Sequence, residues 1–260
     1  MTSSSSSHAQ HSLLISDLHL CAARPDLNRA FQDFCTHTAV DAQALYILGD
    51  LSDAWVGDDD DSATADLIRE SLSTLTHAGV AVYLMTGNRD FLMGEQLASD
   101  CNLTLLPDPS CVNLYGESVL LMHGDSLCTG DAEYMAFRAQ IQNKQAQQML
   151  LTQPLDQRRE LAASLRAQSK SANSNKAEDI MDVSVEEVLK ACQQHGTWTL
   201  IHGHTHRPAE HTHPMGADDD VSDSVKRIVL GDWDDKGWYI KACAGTFELV
   251  SFPISEKVGA

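Results

Sequence analysis

The chain has 260 residues, 43% of them apolar, which is enough to bury one sizeable core, and no run of about 18 apolar residues is present to span a membrane. Its 18 basic and 37 acidic residues give a formal charge of −19, a balance that by itself disfavours nucleic acid and anionic membrane as partners. Seven scattered cysteines, odd in number and without a Cys-x-x-Cys pair, argue against a disulfide scaffold or a zinc knuckle and for reduced, buried thiols.

The Ser-rich start (Ser3 to Ser7) lacks the basic and apolar regions of a secretory signal, so the chain is expected to stay in the cytoplasm with residues 1–11 as a disordered tail. Leu13 to Ile15 reads as a strand that ends in Ser-Asp-Leu-His, presenting Asp17 and His19 at alternate positions. After Pro25, Leu27, Ala30, Phe31 and Phe34 recur at helical spacing. A second strand, Ala44 to Leu48, stops at Gly49-Asp50. The carboxylate-rich turn Asp58 to Asp61 reads as a solvated loop, because it lacks the spaced ligands of an EF-hand. Ser62 can cap a helix that buries Ile68, Leu72 and Leu75 and closes at Gly79. A third strand, Val80 to Met85, runs into Thr-Gly-Asn-Arg-Asp, and a fourth, Val119 to Met122, ends at His123-Gly124-Asp125.

Beyond Asp131 the pattern turns helical: Tyr134, Phe137 and Ile141 mark one helix, Pro154 opens another with Leu161 and Leu165, and Ser169 to Lys176 is small and polar. Between Arg138 and Lys176 seven basic residues face only two acidic ones, a reversal of sign that suggests a segment meeting something anionic. Ser184 and Glu187 form a capping-box pattern for a helix through Val188, Leu189 and Cys192 that stops at Gly196. Thr197 to Ile201 is a strand leading into His-Gly-His-Thr-His-Arg-Pro. Extended backbone there would send His202, His204 and His206 to one side, and Pro208 ends the run. Arg227 to Leu230, Trp238 to Cys243 and Phe247 to Phe252 complete the strands. Early strands alternate with helices and late strands follow one another, which predicts an α/β sandwich of two sheets.

Five strand ends therefore supply Asp17 and His19, Asp50, Asn88, His123, and His204 with His206. The carboxyl ends of strands are where open α/β sheets place their sites. Imidazole, carboxylate and amide oxygen together suit manganese, iron or zinc, and seven ligands exceed what one tetrahedral ion takes. Two ions sharing a bridging carboxylate fit the number, an arrangement common in phosphoryl hydrolysis.

Taken in order, Asp-x-His, Gly-Asp, Gly-Asn, His-Gly and Gly-His-x-His resemble the calcineurin-like metallophosphoesterases, from about Leu13 to Pro208. The resemblance implies an α/β, two-sheet αββα sandwich over residues 12–255. It assigns Asp17, His19, Asp50 and His206 to a first metal and Asn88, His123 and His204 to a second, with Asp50 bridging and two Mn²⁺ per chain. His202 is then structural, as are His211 and His213 in the acidic loop that follows. Most of that superfamily carries Asn-His after the third strand, whereas this chain has Asn88-Arg89. Asn88-Arg89-Asp90-Phe91, Asp53 to Asp59, His123 to Asp131 and Val229 to Trp233 are similar to the UDP-2,3-diacylglucosamine hydrolase family of lipid A synthesis, over nearly the whole chain.

That second resemblance implies a bacterial hydrolase, peripheral on the cytoplasmic face of the inner membrane. Its substrate would be an acylated UDP-sugar, split at the diphosphate into UMP and 2,3-diacylglucosamine 1-phosphate. It also implies an inserted helical cap at 132–176 that binds acyl chains, with substrate contacts from Asn88, Arg89, Asp131, Ser169, Asn173, Lys176 and His204. Within the cap, Tyr134, Phe137 and Ile141 are expected to line the acyl pocket, and Arg158, Lys170 or Lys176 to meet phosphate or headgroups. Catalysis is expected to rest on Asp50, Asn88 and Arg89, with a hydroxide activated by two metals attacking the uridine-side phosphorus. Arginine cannot donate a proton near neutral pH. A departing sugar phosphate needs no proton, only neutralised charge, which a guanidinium supplies. The chain is expected to act as a monomer. The competing expectation is the same two-metal fold acting on a soluble nucleotide as a phosphodiesterase.

Overall fold

Two β-sheets face each other and carry helices on both outer surfaces. The computed structural model describes residues 10–173, 182–215 and 224–254, with residues 170–173 described by their backbone alone. Of the expected tail, residues 1–9 lie outside this range, and the first strand opens at His11, whose backbone pairs with Cys243. The first sheet has the order β11-β10-β1-β2-β3-β4, built from β1 (His11–Ile15), β2 (Ala44–Leu48), β3 (Ala81–Met85), β4 (Thr104–Leu106), β10 (Lys236–Cys243) and β11 (Thr246–Pro253). Strands β1 to β4 run parallel, and β10 and β11 join as an antiparallel hairpin. The second sheet, β5-β6-β7-β9-β8, comprises β5 (Ser110–Leu114), β6 (Glu117–Met122), β7 (Thr199–His202), β8 (Ala209–Pro214) and β9 (Ser224–Val229). In it β6, β7 and β9 are parallel and the two edge strands antiparallel.

The apolar strands are buried on both faces, so their side chains divide by alternation. Leu13 and Ile15 of β1 pack under α1 (Pro25–Asp33), α2 (Ala63–His77) and α3 (Glu95–Cys101), through Phe31, Leu72 and Leu97. Leu14, between them, points the other way and meets Leu121 and Ile201 of the second sheet. Leu120 and Met122 of β6 face outward again, onto Val188 and Cys192 of α7 (Val185–His195). Each fully buried leucine contributes about 1.5–3 kcal/mol, so a one-residue slip of β1 would turn its core residues to the wrong faces.

Several local expectations need correction. The Ser184 side chain makes no capping hydrogen bond; its backbone N–H donates to the Leu127 carbonyl (2.9 Å), and α7 does end at Gly196 in a left-handed turn (φ 64°). The polar stretch from Ser169 is helical as far as it is described, because α6 (Leu155–Asn173) runs through it. His211 and His213 lie on β8, an edge strand, and not in a loop. The elements α3, β4, β5 and α5 (Lys144–Leu151) have no counterpart in the sequence reading. For α3 the reason is tertiary. Its first turn is capped by Asp58, whose carboxylate accepts from Gly94 and Leu97 N–H (both 3.0 Å) and from the Trp55 indole (3.0 Å). The acidic turn is therefore structural and not simply solvated. All seven cysteines are unpaired as expected, though Cys111 is exposed.

Candidate metal centre and substrate cavity

The loops leaving β1, β2, β3, β6 and β7 meet at one end of the sandwich, which brings the seven expected ligands together. Among the described residues, five of the seven non-glycine residues with positive φ are members of this set: Asp17, His19, Asp50, His204 and His206. Left-handed backbone is costly for such side chains and persists where surrounding contacts over-determine it. Those contacts are present. Asp17 and His19 N–H donate to the carbonyls of Gly49 (3.1 Å) and Asp50 (3.0 Å), and His204 N–H donates to Asp17 Oδ2 (2.9 Å). Because His204 and His206 are left-handed, the histidine run is not extended. His202 remains buried in β7 with Arg227, His206 joins Asp17 and His19, and His204 turns toward Asn88.

The first group is Asp17, His19 and His206. His19 and His206 face each other Nε2 to Nε2 at 3.2 Å, and His206 Nε2 lies 3.4 Å from Asp17 Oδ1. A second group joins Asp17 and Asp50 to His123. Asn88 Oδ1 lies 3.1 Å from His123 Nε2 and 3.2 Å from His204 Nδ1. Asp50 stands between the groups, with Oδ2 3.9 Å from His19 and Oδ1 3.8 Å from His123. Asp17 Oδ1 and His19 Nδ1 are buried without a well-formed hydrogen bond, a condition that costs about 1–3 kcal/mol per group and that a cation relieves. The donor set therefore fits divalent metal: carboxylate, imidazole and amide oxygen, with no thiolate.

The field of the site favours positive charge. Burial disfavours the His123 imidazolium, yet the carboxylates of Asp50, Asp125 and Asp17 outweigh it and carry its pKa up to about 10. His206 is likewise raised to about 9 against its burial, chiefly by Asp17. His19 and His204 are brought down to about 3 by burial, as neutral ligands should be. Asp50 is pushed well above the usual carboxylate range by burial, then by the neighbouring Asp90 and Asp17. Positive charge of the kind supplied by divalent ions is what these carboxylates lack.

Asp90 is an organising residue that the sequence reading did not identify. Fully buried, it accepts from the N–H groups of Gly87 (2.7 Å), Leu51 (2.7 Å), Asp50 (3.3 Å) and Ser52 (3.4 Å), so it ties the Asp50 loop to the Asn88 loop. It does not pair with Arg89, whose Nη1 instead donates to Asp53 (3.1 Å) while Nε lies 3.6 Å from Asp50. Asp125 is the other such residue. Its Oδ2 accepts from Tyr134 Oη and Arg138 Nε, both at 2.9 Å, anchoring α4 (Ala132–Ile141) behind His123 and setting the Tyr134 ring against His204.

Helices α4, α5 and α6 cover an apolar cavity of about 330 Å³ that begins at Asn88 and Arg89. Tyr134, Phe137 and Ser169 line it, with Trp55, Phe91 and Leu165. Ile141 is buried and does not line it. Asp131 does not line it either; it caps α4 by accepting from Tyr134 N–H (3.0 Å). Lys176 lies outside the described residues, and Lys170 and Asn173 are described by backbone alone. Arg158 does line the cavity, but it is buried and engaged: it donates to both carboxylate oxygens of Asp59 (2.7 and 2.5 Å) and to the Val56 carbonyl. Arg159 pairs with Asp60 (2.6 Å) and Asp61, and Arg166 with Asp53. Much of the basic character noted between 138 and 176 thus meets the chain's own acidic loop.

A Calcineurin-like phosphoesterase family model matches residues 11–208. A curated relative from Cellvibrio japonicus, named UDP-2,3-diacylglucosamine hydrolase, is 49% identical over 244 residues, covering 94% of this chain and all of the relative. Relatives of the same name are 49% identical over 242 residues in Pseudomonas aeruginosa (93% of this chain, 99% of the relative) and 48% over 241 residues in Hahella chejuensis (92% and 96%).

Proposed function

This chain belongs to the calcineurin-like phosphoesterase family, and from that premise we propose that it hydrolyses the diphosphate bond of UDP-2,3-diacylglucosamine in lipid A synthesis. The products are UMP and 2,3-diacylglucosamine 1-phosphate. The observation that carries this reading is an apolar cavity whose polar end is Asn88-Arg89, directly beside the ligand groups. Such a cavity suits a substrate with acyl chains at one end and a diphosphate at the other, and the names of the relatives support the same substrate class.

Asp17, His19, Asp50 and His206 would hold one Mn²⁺ and Asn88, His123 and His204 the other, with Asp50 between the two groups. The chemistry such ions would supply when bound is polarisation of phosphoryl oxygens and a nucleophile at neutral pH. The protein's own residues perform the remaining tasks. Arg89 neutralises charge that spreads onto the diphosphate as the sugar phosphate departs. Asn88 fixes the facing edges of His123 and His204. The cap helices exclude water from the acyl chains, and Tyr134 ties cap to centre through Asp125. No helix among the described residues is long and apolar enough to cross a membrane. The proposed substrate class places the chain as a monomer acting peripherally at the cytoplasmic face of the inner membrane. Purified protein with Mn²⁺ should release UMP from the acylated UDP-sugar. Cleavage of water-soluble nucleotides with none of the acylated substrate would overturn this assignment and favour the soluble phosphodiesterase.

A further inference from the structure

The sequence Gly231-Asp232-Trp233 leaves β9, the parallel neighbour of β7 in the second sheet, with Val229 registered beside His202. The turn after β9 is thereby placed alongside the turn that carries His206. Both flanks of Asp232 are pinned. Trp233 is buried against Phe34 and Phe252, its indole donates to the Trp238 carbonyl (2.9 Å), and its N–H donates to the Asp17 carbonyl (3.0 Å). On the other flank, a side chain at Gly231 would come within 2.5 Å of the Trp238 ring, so only glycine permits this close approach. Asp232 is left projecting at His206, with Oδ2 3.4 Å from Nδ1. The opposite nitrogen of that ring, Nε2, faces Asp17 and His19.

We propose that Asp232 is a positioning residue for His206, accepting the Nδ1 proton so that the Nε2 lone pair is presented to the first metal ion. A neutral imidazole has one N–H and one lone pair, and the partner of the first decides where the second points. His123 follows the same logic with a different acceptor: its Nδ1 lies 2.9 Å from the Leu48 carbonyl, and its Nε2 faces Asn88 and Asp50. A carboxylate in this outer position also increases the basicity of the ligand nitrogen. The inference rests on the reading that His206 holds an ion, and the test separates the two.

The metal-free full chain is titrated with Mn²⁺ by calorimetry, and its melting temperature is measured without metal. Asp232→Ala should weaken one of the two binding events about 10- to 100-fold and leave the other unchanged. Melting of the metal-free protein should stay unaltered, since Asp232 is 37% exposed and belongs to no core cluster. Asp232→Asn keeps an acceptor oxygen and should recover most of the affinity. On a His206→Ala background, Asp232→Ala should add nothing. Unchanged Mn²⁺ affinity in Asp232→Ala, or a loss that persists in full on the His206→Ala background, overturns the role of Asp232 alone. Retention of both ions by His206→Ala overturns the underlying ligand assignment as well.

Discussion

Arg166, on helix α6, holds the Asp53 carboxylate at both oxygens, with Nη2 at 2.7 Å and Nε at 3.1 Å. The same carboxylate accepts from Arg89, so a single aspartate connects α6 to the arginine beside the candidate metal centre. Losing a charge-assisted pair of this kind costs about 1.5–3 kcal/mol. Arg166→Ala should therefore loosen α6, seen as faster amide hydrogen exchange over residues 155–169. Turnover of the acylated substrate should fall about tenfold or more, with hydrolysis of a small activated phosphodiester retained. Parallel loss of both activities would assign Arg166 to the chemistry and not to the cap.

Asp50 is 2% exposed and turns one oxygen toward each ligand group. Without it, two cations would face each other across about 3.5–4 Å with no anion between them. Metal analysis of Asp50→Ala should show lost occupancy together with turnover reduced by orders of magnitude. Chelation of the unmodified protein should abolish turnover, and added Mn²⁺ should restore it. A variant with near-normal activity would remove the bridge from the account.

For Arg89, the expected loss in Arg89→Ala is about 10²–10³ in turnover, the scale of removing one donor that stabilises developing charge. Both ions should remain bound, because Arg89 is outside the ligand groups. Arg89→His should not restore cleavage, since the departing sugar phosphate requires neutralisation and not a proton. Intact turnover in the alanine variant would end this mechanism and leave the metal assignment standing.

Asp108, beside Arg138 (3.9 Å), provides a test by pH. Burial, followed by the charge of Asp125, pushes its carboxyl up from 3.8 to about 6. A carboxyl with a raised pKa binds its proton more tightly in the fold than in the unfolded chain. That contribution is complete below pH 4 and is lost as pH rises through about 6. Asp108→Asn removes the penalty of ionisation, so it should come close to the parent at pH 4 and exceed it in stability at pH 8 by about 3 kcal/mol. Chemical denaturation at the two pH values measures the difference. Equal stability at pH 8 would show that Arg138 fully compensates the buried charge.

The candidate ligand set was legible in the sequence because each member follows an apolar strand, and parallel strands of one sheet must end at the same edge. Asp17, Asp50 and Asn88 follow β1, β2 and β3, and His123 and His204 follow β6 and β7, so strand order alone brings them to one end of the sandwich. The helices over the cavity announced themselves by a change of period after Asp131. What the linear pattern could not express were contacts between residues far apart in the chain. The basic run around Arg158 carries no mark that its partner is Asp59, 99 positions earlier, and Asp58 gives no hint that it caps α3. Asp90 reads as a plausible partner for adjacent Arg89, yet four backbone N–H groups claim it. Periodicity reports which face of an element is buried. Charge pairing and capping depend on which loops the packed sheets bring within about 3 Å, a range at which hydrogen bonds act and over which sequence separation has no meaning.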